Sequence, residues 1–303
     1  YVYAPNADGR VVGPYLERGP HSNGDFWAAL IHGEIAYIEY FTPETSPESV
    51  PFAVAEVGHM YQGLADGDGD PPTRGTLDCM GDVMCYSDWV DLSYAVGRIL
   101  MYSDGNWQYC TGTLLSTTAG DLTPLFLISA HCLHDQSGAD TAEVLWFYQH
   151  ASCNGSFMTT KTTEDAELLG IAGYNGSIQG ADWTLLMLRG VLPTGVNWSG
   201  WTSSTPSTGA HVGIVHHPDA SWKRYSRGRR YYYSNYFNRI AFNNPDDPDY
   251  DIGSIYYGSS GGGVWTEDTQ LLFGNASFVD NTPGCDHLST SAYYGRLSSY
   301  YSQ

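Results

Sequence analysis

Two serines and three consecutive glycines occupy the centre of "YYGSSGGGVW", residues 256–265, between aromatic residues of strand-forming type. A flexible Gly/Ser linker is one reading of such a run. A phosphate-cradling loop is a second, but no Lys-Ser or Lys-Thr pair follows the glycines and the flanks read as strand. The third is a nucleophile, Ser260, on a tight turn, which requires a histidine to take its proton and a carboxylate to orient that histidine. Two other segments supply both. "LFLISAHCLHD" places His131 at the end of an apolar strand, directly before Cys132, and "GADWTLLMLRG" places Asp182 just ahead of another apolar strand. Each has an ordinary explanation alone, as a hydrogen-bonded core histidine and as a turn former. Together, the order His131, Asp182, Ser260, at intervals of 51 and 78 residues, is that of one of the known serine triads.

The chemistry this order implies is acyl transfer. Ser260 Oγ attacks a peptide carbonyl while His131 takes its proton and later delivers it to the leaving amine, with Asp182 holding the imidazole tautomer. The negative oxygen of the tetrahedral intermediate needs donors already in place, and the backbone N–H groups of Gly258 and Ser260 are the candidates. Glycine at 258 allows the backbone such a turn requires.

The elements that must carry these residues are short strands. "GEIAYIEYF", "FAVAEVGHMY", "SYAVGRILMY", "TPLFLISA", "AEVLWFYQ", "WTLLMLRG", "HVGIVHH" and "QLLFGNASFV" are strand-like runs separated by turn residues, and long helical periodicity is scarce. An all-β sandwich or barrel is expected. No apolar run approaches the roughly 18–20 residues of a membrane span. With 13 Lys plus Arg against 33 Asp plus Glu, the net charge of −20 repels nucleic acid, which is rejected as a partner.

Organisation along the chain follows the cysteines. The acidic, Gly- and Pro-rich stretch 63–78, "GLADGDGDPPTRGTLD", reads as an exposed linker, and all six cysteines lie beyond it. Residues 1–78 are therefore expected to form a cysteine-free, β-rich extension, and 79–303 a disulfide-bearing unit. Cys79, Cys85, Cys110, Cys132, Cys153 and Cys285 lack double-knuckle zinc spacing, so disulfides and an extracytoplasmic setting are expected, and no metal. The first residues show no signal-peptide pattern, and Tyr1 is expected to begin a processed form. Asp66, Asp68 and Asp70 alternate as in a calcium loop, but the twelfth position is Leu77 where a bidentate Glu is needed. His216 and His217, adjacent on a strand, should point to opposite faces and are poorly placed for one metal. "NNPDDPDYD" (243–251) is expected to be a solvated loop. Asn154, Asn175, Asn197 and Asn275 match glycan acceptors without deciding the source, and the tyrosine clusters 231–233 and 300–301 suit either a substrate rim or packing.

"SAHC", "DWTLL" and "GSSGGG" resemble the histidine, aspartate and nucleophile motifs of the trypsin-like, chymotrypsin-fold serine peptidases. Within that family "YAVGRI", "CTGTLLSTTAGDLTPLFLISAHC", "WFYQHASC", "HHPDASWKR" and "YYGRL" resemble bacterial secreted lysyl endopeptidases and their relatives, across nearly all of 79–303. "GDFWAALIHGEIAYIEYFTPE" looks like the end of their propeptide. The resemblance implies two six-stranded antiparallel β-barrels with the triad between them, no cofactor, a secreted endopeptidase acting on proteins or peptides, and the disulfides Cys79–Cys285, Cys85–Cys153 and Cys110–Cys132. The alternative is a catalytically silent binding module, or a zymogen whose cleft is blocked by residues 1–78.

Two departures from the family bear on regulation and substrate. Ser259 stands where animal trypsins carry an aspartate that pairs with the new N-terminus, so activation is expected to cut or displace 1–78, with Arg74-Gly75 the preferred site. At the substrate pocket, Ala292 stands where lysyl endopeptidases have their lysine-binding aspartate, and Ser254 where trypsins have theirs. "NASFVD" resembles the elastase pattern and puts Val279 where trypsins leave the pocket open with glycine. Ser254, Ser277, Phe278, Val279 and Ala292 are thus expected to line a shallow pocket for a small apolar residue, since a buried ammonium without a partner costs several kcal/mol.

Overall fold

A computed structural model describes residues 1–4, 11–19, 24–31, 33–43, 50–59, 77–242, 252–280, 284–285 and 291–301. The chain divides into two compact units between Gly63 and Leu64. The expected calcium loop, the Arg74-Gly75 site and the acidic stretch 243–251 lie outside the described residues.

In the first unit β1 (Val2–Tyr3) pairs antiparallel with both β2 (Val11–Val12) and β3 (Tyr37–Ile38). The expected strands here are shorter or absent: of "GEIAYIEYF" only β3 is extended and paired, and residues 52–59 of "FAVAEVGHMY" form none. Those residues are exposed, so no apolar face is buried by a partner strand to fix a register.

The second unit contains two antiparallel sheets. The first holds β5 (Val96–Ser103), β6 (Asn106–Leu115), β7 (Leu125–Ile128), β8 (Glu143–Trp146), β9 (Lys161–Glu164), β10 (Ala166–Tyr174) and β11 (Ile178–Leu188), in the order β10-β11-β7-β6-β5-β8-β9. Only Asp165, at φ 67°, separates β9 from β10. A single kinked strand therefore pairs with β8 at one end and β11 at the other, closing a barrel of six strands. Inside it pack Ile99, Met101, Leu114, Phe126, Val144, Trp146 and Leu186, each contributing about 1.5–3 kcal/mol by burial. The second sheet runs β12 (His211–His216), β15 (Gly263–Thr266), β16 (Leu272–Val279), β17 (Ser291–Arg296), β14 (Phe237–Ala241) and β13 (Arg224–Tyr232), and β13 pairs back onto β12 to close another six-stranded barrel. A two-residue strand, β4 (Gly81–Asp82), is added at the outside of β13. Val212, Ile214, Ile240, Phe242, Val264 and Phe273 fill this barrel. Among the described residues the α-helices are single turns: α1 (Val90–Ser93), α2 (Gln136–Asp140) and α3 (Leu297–Tyr300). Among the described residues no helix is long and apolar enough to cross a membrane.

The barrels are sealed to each other by side chains from both, including Leu115, Leu127 and Ala181 of the first and Val215, Trp265 and Leu272 of the second. Backbones also meet directly: a Cβ on Gly295 of β17 would stand 2.0 Å from the Ala181 carbonyl of β11, so any larger residue would push the barrels apart. The three disulfides are Cys79–Cys285, Cys85–Cys153 and Cys110–Cys132. The last joins the middle of β6 to the turn after β7; these strands pair as Thr113 with Leu127 and Leu114 with Phe126.

Candidate active site

His131 and Asp182 belong to the first barrel and Ser260 to the loop between β14 and β15 of the second. His131 stands three residues beyond β7, in a turn closed by the Cys132 N–H on the Ser129 carbonyl. Asp182 is not ahead of its strand, as expected from sequence, but inside β11, with a left-handed φ of 52°. Pairing of β10 with β11 slips between Ala172 and Tyr174, opposite this residue. The irregularity re-aims the aspartate out of the ladder, in a conformation aspartate tolerates better than most residues. Its carboxylate is fully buried, accepting from His131 Nδ1 at 2.7 Å and from the His131 backbone N–H at 2.9 Å. A proton on Nδ1 leaves Nε2 as the basic nitrogen.

Ser277 gives the same carboxylate a third donor, its hydroxyl on Asp182 Oδ2. It occupies a β-bulge: Ala276 pairs with Tyr294 and Phe278 with Tyr293, leaving Ser277 unpaired in β16. Expected among the pocket residues, it is turned by this bulge onto the aspartate instead. Asn275, noted in the sequence only as a glycan acceptor, is fully buried and donates to the Asp182 carbonyl and to Ser129 Oγ, at 2.9 and 2.8 Å. Tyr300 Oη donates to its Oδ1 at 3.3 Å. No sequence signal marks this role, because Asp182 and Ser129 lie 93 and 146 residues upstream.

Ser260 is half-buried, and its carbonyl accepts from Thr111 N–H at 2.8 Å, one residue from the Cys110–Cys132 bridge beside His131. Thr111 Oγ1 also donates to the Gly258 carbonyl at 2.8 Å. Ser260 Oγ makes no hydrogen bond among the described residues, and Cys132 Sγ lies 3.8 Å from His131 Nε2. Contacts between nucleophile and base commonly tighten only with substrate in place. Within the turn, Ser259 N–H donates to Tyr256, Gly261 N–H to Ala276 and Gly262 N–H to Ser259, all to carbonyls. The N–H groups of Gly258 and Ser260 have no acceptor among the described residues. Gly258 has φ 86°, and a Cβ there would stand 2.8 Å from the His217 carbonyl, so glycine is required.

Of the expected pocket residues, Val279 and Ala292 are direct cross-strand partners in β16 and β17 and therefore share a face. Ala292 and Ser254 are fully buried, and Val279 packs on the cluster containing Ile240, Ile255 and Ala292. Phe278 faces the other way, stacked on Tyr293 at 4.5 Å between ring centroids. Asp280 is held on that same face by Tyr293 Oη. Ser254, Val279 and Ala292 themselves carry no charge. A groove of about 660 Å³ bounded by Thr205, His211, Glu267 and Leu271 contains none of these residues. The tyrosine clusters divide: Tyr300 is buried against Trp183, whereas Tyr232, Tyr233 and Tyr301 are exposed.

Comparison with known proteins agrees with this architecture. Residues 75–291 match the family described as lysyl endopeptidase, C-terminal domain. A lysyl endopeptidase of Pseudomonas aeruginosa is 28% identical over 297 residues, covering 93% of this chain and 63% of that protein. A secreted RxLR effector protein of Plasmopara viticola is 28% identical over 146 residues, 45% of this chain and 35% of the relative. The chain thus spans less than two thirds of the length of either. Among solved structures, a scabies mite inactivated protease paralogue superposes with TM-score 0.51 at 14% identity, over 70% of this chain and 92% of its own. Human heparin binding protein superposes with TM-score 0.50 at 15% identity, over 70% and 90%. At such identities these two structures bear on the fold, which is chymotrypsin-like. The chain belongs to the lysyl endopeptidase C-terminal domain family of chymotrypsin-fold serine peptidases.

Proposed function

We propose that this chain is a secreted serine endopeptidase in which Ser260 is the nucleophile, His131 the general base and then acid, and Asp182 the group that orients and charges-balances the imidazole. The carrying observation is the hydrogen-bond pattern of the turn: residues 259, 261 and 262 have used their N–H groups, while Gly258 and Ser260 have not. Those two donors suit the oxygen that becomes negative when Ser260 attacks a carbonyl, and each is worth on the order of 3 kcal/mol of transition-state stabilisation. The buried His131–Asp182 contact at 2.7 Å supports the proton transfer. Three disulfides support an oxidising, extracellular setting.

Substrates are proteins or peptides, with a small apolar residue at the cleaved bond rather than lysine. The uncharged Ser254, Val279 and Ala292 support this preference. Residues 1–78 act as a propeptide or accessory domain on the peptidase unit 79–303.

Casein cleavage and labelling by a serine-reactive fluorophosphonate test the reading. The wild-type chain, or its processed form, should do both and Ser260→Ala neither. A folded, processed wild-type sample that does neither would replace the enzyme with a peptidase-fold binding module.

A further inference from the structure

Directly behind the nucleophile, Ser259 is fully buried, and its Oγ lies 2.7 Å from Nδ1 of His216, the last residue of β12. His216 is itself fully buried, and its Nε2 lies 3.2 Å from Ser226 Oγ on β13. Ser226 Oγ donates in turn to the Ser254 carbonyl at 2.8 Å, and the Tyr256 N–H donates to Ser259 Oγ at 3.1 Å. These contacts admit one consistent set of protons. Because Ser226 spends its hydrogen on Ser254, it must accept from His216 Nε2–H, so Nδ1 is the bare nitrogen and accepts from the Ser259 hydroxyl. Each linked atom is satisfied once, with a neutral imidazole. Burial agrees, pushing the His216 pKa down to about 3.

Both ends of this chain of hydrogen bonds land on the same loop, at Ser254 and at Tyr256–Ser259. The loop that presents the Gly258 and Ser260 N–H groups is thus fastened to two strands of the second barrel at two points. Neither a carboxylate nor a chain terminus takes part. In trypsins the corresponding position is an aspartate that waits for a newly cut N-terminus.

We propose that His216 is a positioning residue which, through Ser259, holds the oxyanion-binding turn permanently assembled, so that this turn does not depend on a freed α-amino group. The inference rests on the peptidase reading above. Any control exerted by residues 1–78 then acts on access to the site and not on formation of the turn.

The test uses the full chain and whatever processed form it yields. Ser259→Ala removes the hydroxyl between Tyr256 and His216. His216→Asn keeps an acceptor near the Nδ1 position but loses the bond to Ser226, and His216→Leu loses both. Expected is a fall in kcat of roughly tenfold or more for Ser259→Ala and His216→Leu, with KM changed less than about threefold and His216→Asn intermediate, since loss of a whole oxyanion donor costs about 10²–10³. Affinity for a peptide aldehyde, whose hemiacetal oxygen occupies the same turn, should fall in step with kcat. Affinity for the matching peptide carboxylate product should not. Selective acetylation of the α-amino group of the active wild-type form should leave kcat unchanged.

Wild-type kcat and aldehyde affinity in folded Ser259→Ala would overturn the inference while leaving the peptidase standing, as would loss of activity on α-amine acetylation. If His216→Leu does not fold, Ser259→Ala and His216→Asn decide. A wild-type protein that neither cleaves nor labels would instead remove the peptidase reading itself.

Discussion

Asn275 of the second barrel donates its side-chain amide to the backbone carbonyl of Asp182 in the first, at 2.9 Å. Asp182 is therefore held from both barrels, by His131 of its own and by Asn275 on its carbonyl and Ser277 on its carboxylate from the second.

Asn275→Leu would leave the Asp182 carbonyl, Ser129 Oγ and Tyr300 Oη short of a buried partner. Each such group costs about 1–3 kcal/mol, so urea unfolding should show a stability loss of that order or more. The loss of kcat should exceed that of Tyr300→Phe, which touches only the far side of the amide. Ser277→Ala, removing a buried hydrogen bond to a charged group, should lower kcat roughly tenfold and also lower the melting temperature, since such a bond contributes about 1.5–3 kcal/mol. Stopped-assay kinetics beside thermal melts check both.

The proposed substrate preference rests on Val279 and Ala292, paired across β16 and β17. In a panel of peptide amides differing only at the cleaved residue, Ala and Val should exceed Lys, Arg and Glu by at least about tenfold in kcat/KM. One methylene in an apolar pocket is worth only about 1–3 kcal/mol, so preference among small residues should be graded. Val279→Gly should extend acceptance to Phe and Tyr. A Lys substrate that outperforms Ala would sink the pocket assignment.

Replacing Cys110 and Cys132 together by serine opens a loop of sequence separation 22. The expected cost is about 3 kcal/mol of stability by loop entropy. Because Cys132 adjoins His131, kcat should also fall at temperatures where the variant is fully folded, measured well below its melting point.

Acid stability carries the signature of His216 and His217, both held neutral by burial, with His216 at about 3 and His217 well below its ordinary value. Unfolding lets each bind a proton near pH 6.5, so the unfolded state holds more protons below that pH. Stability should fall as pH drops from about 6.5 toward 3. Lys223, wholly buried with its ammonium on the Ser93 carbonyl and Gln149 Oε1, is lowered to about 7 by desolvation. It should add a second decline as pH falls from about 10.5 to 7. The stability difference between wild type and Lys223→Met, measured at several pH values between 7 and 9.5, should change along that slope. A constant difference would show that Lys223 titrates alike in both states.

Much of the candidate site was legible because motif order survives in sequence: His131, Asp182 and Ser260 are singled out by neighbours and spacing. The strands of the second unit were legible for a similar reason, since β11 alternates buried and half-buried residues from Asp182 to Leu188. What stayed hidden depends on register. The aim of Ser277 comes from a one-residue bulge, and the position of Asp182 inside its strand from a left-handed backbone, neither of which alters residue pattern. Likewise His216 and Ser259 meet 43 residues apart, a pairing set by how β12 lies behind the nucleophile loop. In the first unit strand-forming residues overstated the sheet, because local preference without a buried face does not fix a strand.

The disulfides have a topological consequence. Cys79 is bonded to Cys285, and the other two bridges fall between them in sequence. A single nick anywhere between Cys79 and Cys285 therefore yields two pieces that are still one covalent molecule. For a protein that would live among its own cleaving copies, a surface loop can be clipped without shedding either barrel, and damage of this kind would be seen as a new band only after reduction.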